Sequence, residues 1–148
     1  MWALFGGTID LDIASCEQAQ KTVKAIQFFT KSDNALLHAW LGKIFGNPPF
    51  SVPNIVLFTD KLLAELAAKH VTEAIWLTNN SSDTAWFHRL ATAATAMCFT
   101  RGRIHFVSCD GTNQYAPVQG QMFFYFGDNL SAFVEHFDPV GLIVRPIS

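Results

Sequence analysis

An α/β fold, with a largely parallel sheet flanked by helices and antiparallel strands added late, is predicted by three observations. Ile9, Leu11 and Ile13 alternate with Asp10 and Asp12, which is the period of a strand, and a helical pattern follows directly. Strand and helix patterns then alternate three times along the chain. The last third instead carries the aromatic and β-branched runs "CFT", "RIHFV" and "QMFFYF", separated by glycine-rich or polar turns. At 148 residues the chain matches one domain, taken as residues 1–148, and is long enough to bury a real core.

Taken in order, "GGTIDLDIAS" is the first strand, Ser15 is the expected N-cap, and "CEQAQKTVKAI" is the helix after it. "FFTKSDNALLHAW" reads as a loop with one helical turn and leads into the short strand "GKIF". Asn54 is then placed to cap a helix running to about His70, with Ile55, Phe58, Leu62 and Leu66 at spacings of three and four. "TEAIWLTNN" is a second apolar run bounded by polar residues, as a buried parallel strand would be. "SSDTAWFHRLATAATAM" follows as a helix capped by Ser82 or Asp83, with Phe87, Leu90, Ala94 and Met97 on its inner face. On that face Trp86 and Phe87 read as core residues rather than stacking platforms. After the closely spaced strands of the last third, a helix over 129–137 and the strand "GLIVRPI" complete the chain.

Half the residues are hydrophobic and 14 of them are Phe, while charged residues make up 15 %, against ~25 % in an average domain. Such a chain folds, and it has aromatics to spare for a cleft or a subunit contact. No run approaches the ~20 apolar residues of a membrane span, and the start lacks a signal-peptide pattern, so a cytoplasmic protein with no membrane partner is expected. Cys16, Cys98 and Cys109 contain no C-x-x-C, and the five histidines lack ligand spacing, so no metal site is expected. A net charge of -2 argues against strong sequence-independent binding to nucleic acid, although "RGRIH" at 101–105 is a local basic spot.

In open α/β sheets ligands bind beyond the carboxyl ends of the strands. That rule gathers "DIAS", "NPPFS" and "NNSSDT" at one edge, together with the long polar loop "SCDGTNQYAPVQG" as a functional candidate. In "GNPPFS" the prolines donate no N–H and hold Asn47 extended, so that its amide and nearby carbonyls face the cleft. Asn47 Oδ1 and the Pro48 carbonyl then suit a planar amino group such as adenine N6, with the Phe50 ring stacking on its plane. Two such acceptors stabilise the positive charge that develops as the amine attacks a methyl group, without a strong base. A base taken from duplex DNA would have to be flipped out of the stack.

"IDLDIASCEQAQKTVKAIQFFTKSDNALLHAWLGKIFGNPPFS" resembles the core of the phage-type, Dam-like DNA N6-adenine methyltransferases, with D-L-D, an aromatic-Thr segment, Trp-x-Gly and N-P-P-[YF] in that order. "TNNSSDTAWFHRL", "FTRGRIHF" and "GQMFFYFG" are similar to later signatures of that family. The resemblance implies a Rossmann-like, S-adenosylmethionine-dependent methyltransferase acting on adenine in DNA. Asn47, Pro48, Pro49 and Phe50 match the catalytic motif. Asp10 and Asp12 fall where the cofactor is expected, Asp33 is placed near its adenine, and Asn47 borders it. Asn79, Asn80, Ser81 and Asp83 are expected to line the target cleft, Arg101 and Arg103 to meet phosphates, and Gln114 and Tyr115 to help choose sequence.

The chain departs from the family pattern in having Ile13 after D-L-D, no F-x-G-x-G, and only "LFGGT" as its glycine-rich segment, and a shortened N-terminus is expected. With no separate recognition domain, sequence specificity is expected to be modest or supplied by a homo-oligomer. Two other readings stand beside the first. One is methylation of another planar amine, on a protein glutamine or an RNA base. The other is a non-catalytic nucleic-acid-binding module on a degenerate methyltransferase fold.

Overall fold

The computed structural model describes residues 4–110, 114–115 and 119–147, and the side chains at 106–107 and 114–115 fall outside that description. Among the described residues, the elements are β1 (Leu11–Asp12), α1 (Glu17–Val23), β2 (Gln27–Phe28), two 3-10 turns (Lys31–Asp33 and Ala35–Leu37), β3 (Gly42–Gly46), α2 (Asn54–Ala67), β4 (Val71–Asn79), α3 (Ala85–Ala93), β5 (Ala96–Thr100), β6 (Phe106–Val107), β7 (Gln114–Tyr115), β8 (Gln121–Phe126), α4 (Leu130–Phe137) and β9 (Gly141–Val144). They form a mixed α/β structure with a seven-stranded sheet in the order β2-β1-β3-β4-β8-β5-β9, and β6 pairs with β7 separately. The β1–β2, β1–β3 and β3–β4 pairs are parallel. β8 runs antiparallel between β4 and β5, and β9 is antiparallel to β5.

The sheet is apolar on both sides because both faces are covered. Along β8, Met122, Phe124 and Phe126 face one cluster, with Trp40, Phe58, Trp76, Phe87 and Leu90. Tyr125 faces the opposite cluster, with Phe5, Ile9, Cys98, Phe133 and Phe137. The period of two is thus hidden in the sequence, since each face meets a hydrophobic layer. Helices α2 and α3 cover the first face and α4 the second. On the second face the Tyr125 hydroxyl donates to buried Glu73 and accepts the Asn129 N–H. Burial and the hydrogen bond to Glu73 push the Tyr125 hydroxyl well above its usual range.

Several boundaries differ from the sequence expectation, each for a physical reason. The first helix starts after Cys16, which occupies the N-cap position, while Ser15 is spent on a bond from Gln20 Nε2 at 2.8 Å. The loop expected after it contains β2, held by the parallel pairing of Leu11 with Gln27 and Asp12 with Phe28. Asn54 is the first residue of α2, and its side chain donates to Ser51 Oγ at 3.4 Å instead of capping. Thr84, not Ser82 or Asp83, caps α3 by accepting the Phe87 N–H. That helix stops at Ala93, and Met97 belongs to β5, whose pairing with β8 and β9 overrides the helical spacing. Thr95 ties the transition down by donating to the Gly127 carbonyl at 2.8 Å.

Candidate active site

The chain leaves β1 toward β2 on one side and returns through β3 on the other, so β1 and β3 are parallel neighbours whose onward connections diverge. Such a switch point leaves a crevice beyond the carboxyl ends of the two strands. A cavity of about 600 Å³ opens there. Ile13, Ala14, Ser15, Cys16 and Ala19 line it from β1 and the start of α1. Thr30, Lys31, Asn34, Ala35 and Leu36 come from the segment after β2. Asn47, Pro49, Ser51, Asn54 and Phe58 close it from β3 and α2, and Cys109 reaches it from the arm that follows β5.

Asn47 sits immediately beyond β3, and its Oδ1 is buried with no hydrogen-bond partner. An unpaired buried carbonyl costs about 1–3 kcal/mol, so it is a place where a ligand N–H would be gained at full value. The position is set from behind by Gly46, where a Cβ would lie 2.1 Å from Trp76 Cζ3. Only hydrogen fits between that strand end and the indole. Pro48 is buried, and Phe50 is half-buried against the core beside the cavity without lining it.

The three aspartates occupy different surroundings. Asp12 is 1 % exposed and supports the cavity wall from within. Its Oδ2 accepts from Gln20 Nε2 at 2.9 Å, and the same amide reaches Ser15 Oγ. Burial raises its carboxyl to about 6, against opposing hydrogen bonds from Ser15, Ala14 and Gln20. Asp10 lies at the opposite end of β1, where its Oδ2 accepts the Lys43 N–H at 2.8 Å. It lines a separate cavity of about 300 Å³ with Gln27 and Gly42, so the structure does not bring Asp10 to the switch point. The "LFGGT" segment lies near that end too, with the Phe5 carbonyl accepting from Lys43 Nζ at 2.8 Å. Asp33 is exposed and closes a capping box, accepting the Thr30 N–H at 2.7 Å, which holds its carboxyl below the usual range. It orders the turn from which Thr30, Lys31 and Asn34 reach the cavity.

The remaining expected site residues run along the same sheet edge, beyond the cavity. Asn79 Oδ1 accepts from Gln121 Nε2 at 3.1 Å, and the Asn80 N–H donates to the Gly120 carbonyl at 3.0 Å. The Ser81 carbonyl accepts the Thr84 hydroxyl at 2.7 Å, and Asp83 is exposed. Arg101 and Arg103 are exposed just after β5. The side chains of Gln114 and Tyr115 lie outside the described residues. Trp86 and Phe87 are buried, with Phe87 set edge-on to Phe124 at 5.3 Å. The sequence gives no role to Gln20 or Asn34 and marks Thr30 only as part of the aromatic-Thr segment, because it is β2 that brings the loop carrying Thr30 and Asn34 to the cavity. Among the described residues no group of three His, Cys, Asp or Glu is arranged to hold a metal ion, and no helix is long and apolar enough to cross a membrane.

No curated protein matches the chain. A solved structure, that of Thermoplasma acidophilum 1320, is similar over 87 % of this chain and 85 % of its own, at 11 % identity and a TM-score of 0.46. A family model described as DNA N-6-adenine-methyltransferase (Dam) matches residues 1–132, a span that takes in both walls of the cavity, Asn47 and the strands that position it. The chain belongs to the DNA N-6-adenine-methyltransferase (Dam) family.

Proposed function

We propose that this chain transfers a methyl group from S-adenosylmethionine to adenine N6 in DNA, within a Rossmann-like single domain. The observation that carries the reading is the buried, unpartnered Asn47 Oδ1 on the wall of the switch-point cavity. The cavity suits the cofactor: Ile13, Ala35, Leu36 and Phe58 offer apolar surface for an adenine ring. Ser15, Thr30 and Asn34 offer partners for ribose hydroxyls, and Lys31 offers a cation for a carboxylate. Asp12 and Asp33 hold these walls in shape through Gln20 and Thr30. When bound, S-adenosylmethionine supplies an electrophilic methyl group.

The work of the chain itself is to hold the acceptor amine. Asn47 Oδ1 accepts one amine N–H and the Pro48 carbonyl a second, which favours a tetrahedral nitrogen and stabilises the charge that grows on it. Pro49 keeps this segment rigid, and Phe50, braced by the core, supports the plane of the flipped base. Asn79, Asn80, Ser81 and Asp83 border the target strand, and Arg101 and Arg103 neutralise phosphates. Asp10 has a structural part, fixing β1 to β3 through the Lys43 N–H.

Incubating the protein with labelled S-adenosylmethionine and, separately, unmodified DNA, RNA and a glutamine-containing peptide tests this reading. Label is expected in adenine N6 of DNA, falling by about 10²–10³ in Asn47→Ala. Label only in RNA or peptide would replace adenine in DNA by another planar amine. No binding of the methyl donor in calorimetry would assign the non-catalytic alternative.

A further inference from the structure

Two of the three cysteines, distant in sequence, meet at the same cavity. Cys16 is half-buried at the N-cap of α1, and Cys109 is exposed in the arm after β5. Both line the cavity, Cys16 from the start of α1 and Cys109 from the arm after β5. Their thiols are close enough to interact: a hydrogen bond with the Cys16 thiol, then burial, then the charge of Asp110, push the Cys109 thiol up. Cys98 is different, being fully buried with its Sγ set 3.7 Å from the Phe137 carbonyl on the far face of the sheet.

We infer that Cys16 and Cys109 form a redox-responsive thiol pair, and that joining them as a disulfide ties the arm to the start of α1 and closes the cavity to its ligand. The oxidant is a low-molecular-weight disulfide. One cysteine, as thiolate, attacks a sulfur of that reagent, forming a mixed disulfide and releasing one small thiolate, which takes up the proton lost by the cysteine. The second cysteine thiolate then attacks the protein sulfur of the mixed disulfide and expels the other small thiolate, which is protonated in turn. The balance is two protein thiols and one small disulfide converted to one protein disulfide and two small thiols. Disulfides in reducing compartments are typically switches of this kind rather than structural staples. The closing of the cavity rests on the methyl-donor reading above, whereas the thiol pair itself does not.

The test treats the full chain with oxidised glutathione, alkylates free thiols and maps the peptides, then measures S-adenosylmethionine binding by calorimetry before oxidation, after it and after reduction. A Cys16–Cys109 linked peptide is expected to dominate, with Cys98 alkylated only after unfolding. Binding is expected to weaken by at least about tenfold on oxidation and to return on reduction. Cys16→Ser and Cys109→Ser should each lose the oxidation-dependent change relative to their own reduced forms. Links through Cys98, or links between chains, would overturn the pairing. A complete Cys16–Cys109 link that leaves binding unchanged would overturn the closing. If the reduced chain does not bind the methyl donor, the functional reading fails while the peptide map still decides the pair.

Discussion

Asp12 shows how a residue can be important to a site without facing it. Its carboxyl is lifted from 3.8 to about 6 by burial, and hydrogen bonds from Ser15, Ala14 and Gln20 only partly offset this. An unfolded chain binds the proton less tightly, so stability present below about pH 4 is lost as the pH rises through about 6. The difference corresponds to on the order of 3 kcal/mol. Urea unfolding between these limits should show a decline that Asp12→Asn lacks, and parallel pH profiles for the two proteins would show that the carboxyl titrates normally. At this scale the alternation around Asp10 and Asp12 is readable, but their separate fates are not. Two residues apart, they share one face of the strand, and only the pairing of β1 with β3 separates them along it, giving Asp10 to the Lys43 N–H at one end and leaving Asp12 to Gln20 at the other.

The end of β3 is the element on which the site depends. Gly46 has no room for a Cβ against Trp76, which is itself fully buried against Trp40 at 5.9 Å between rings. Gly46→Ala should therefore cost about 1–3 kcal/mol by overpacking, read as a lower urea midpoint. It should also displace Asn47, so that methyl transfer falls further than the loss of folded protein explains. A variant as stable and as active as the parent would mean that the indole has space to yield. "GKIF" followed by two prolines is legible as a strand with an abrupt end, because proline chemistry is local. The two residues of β2 and the end of α3 at Ala93 are not legible. Both are decided by hydrogen bonds to strands distant in sequence: β1 for the former, and β8 and β9 for β5, which begins where α3 stops.

At the scale of the whole molecule, the proposed action on DNA by a chain of net charge -2 calls for a local basic surface. Arg101 and Arg103 follow β5 on the sheet edge that carries the cavity, and each is expected to meet one phosphate. Arg101→Ala and Arg103→Ala should each weaken DNA binding across sequences and reduce the log–log salt slope by about 1, measured by titration at several salt concentrations. Unchanged affinity and slope would remove the arginines from the interface. The sequence alone determined the α/β alternation, the rigid Asn47 segment and the family, because periodicity, proline and ordered motifs are written in adjacent residues. The tertiary structure alone decided which loops share the cavity. Strand order placed β3 beside β1, brought in the Thr30–Asn34 turn and Cys109, and left Asp10 at the other end, since a strand's neighbours are chosen by pairing and by the covering of both sheet faces.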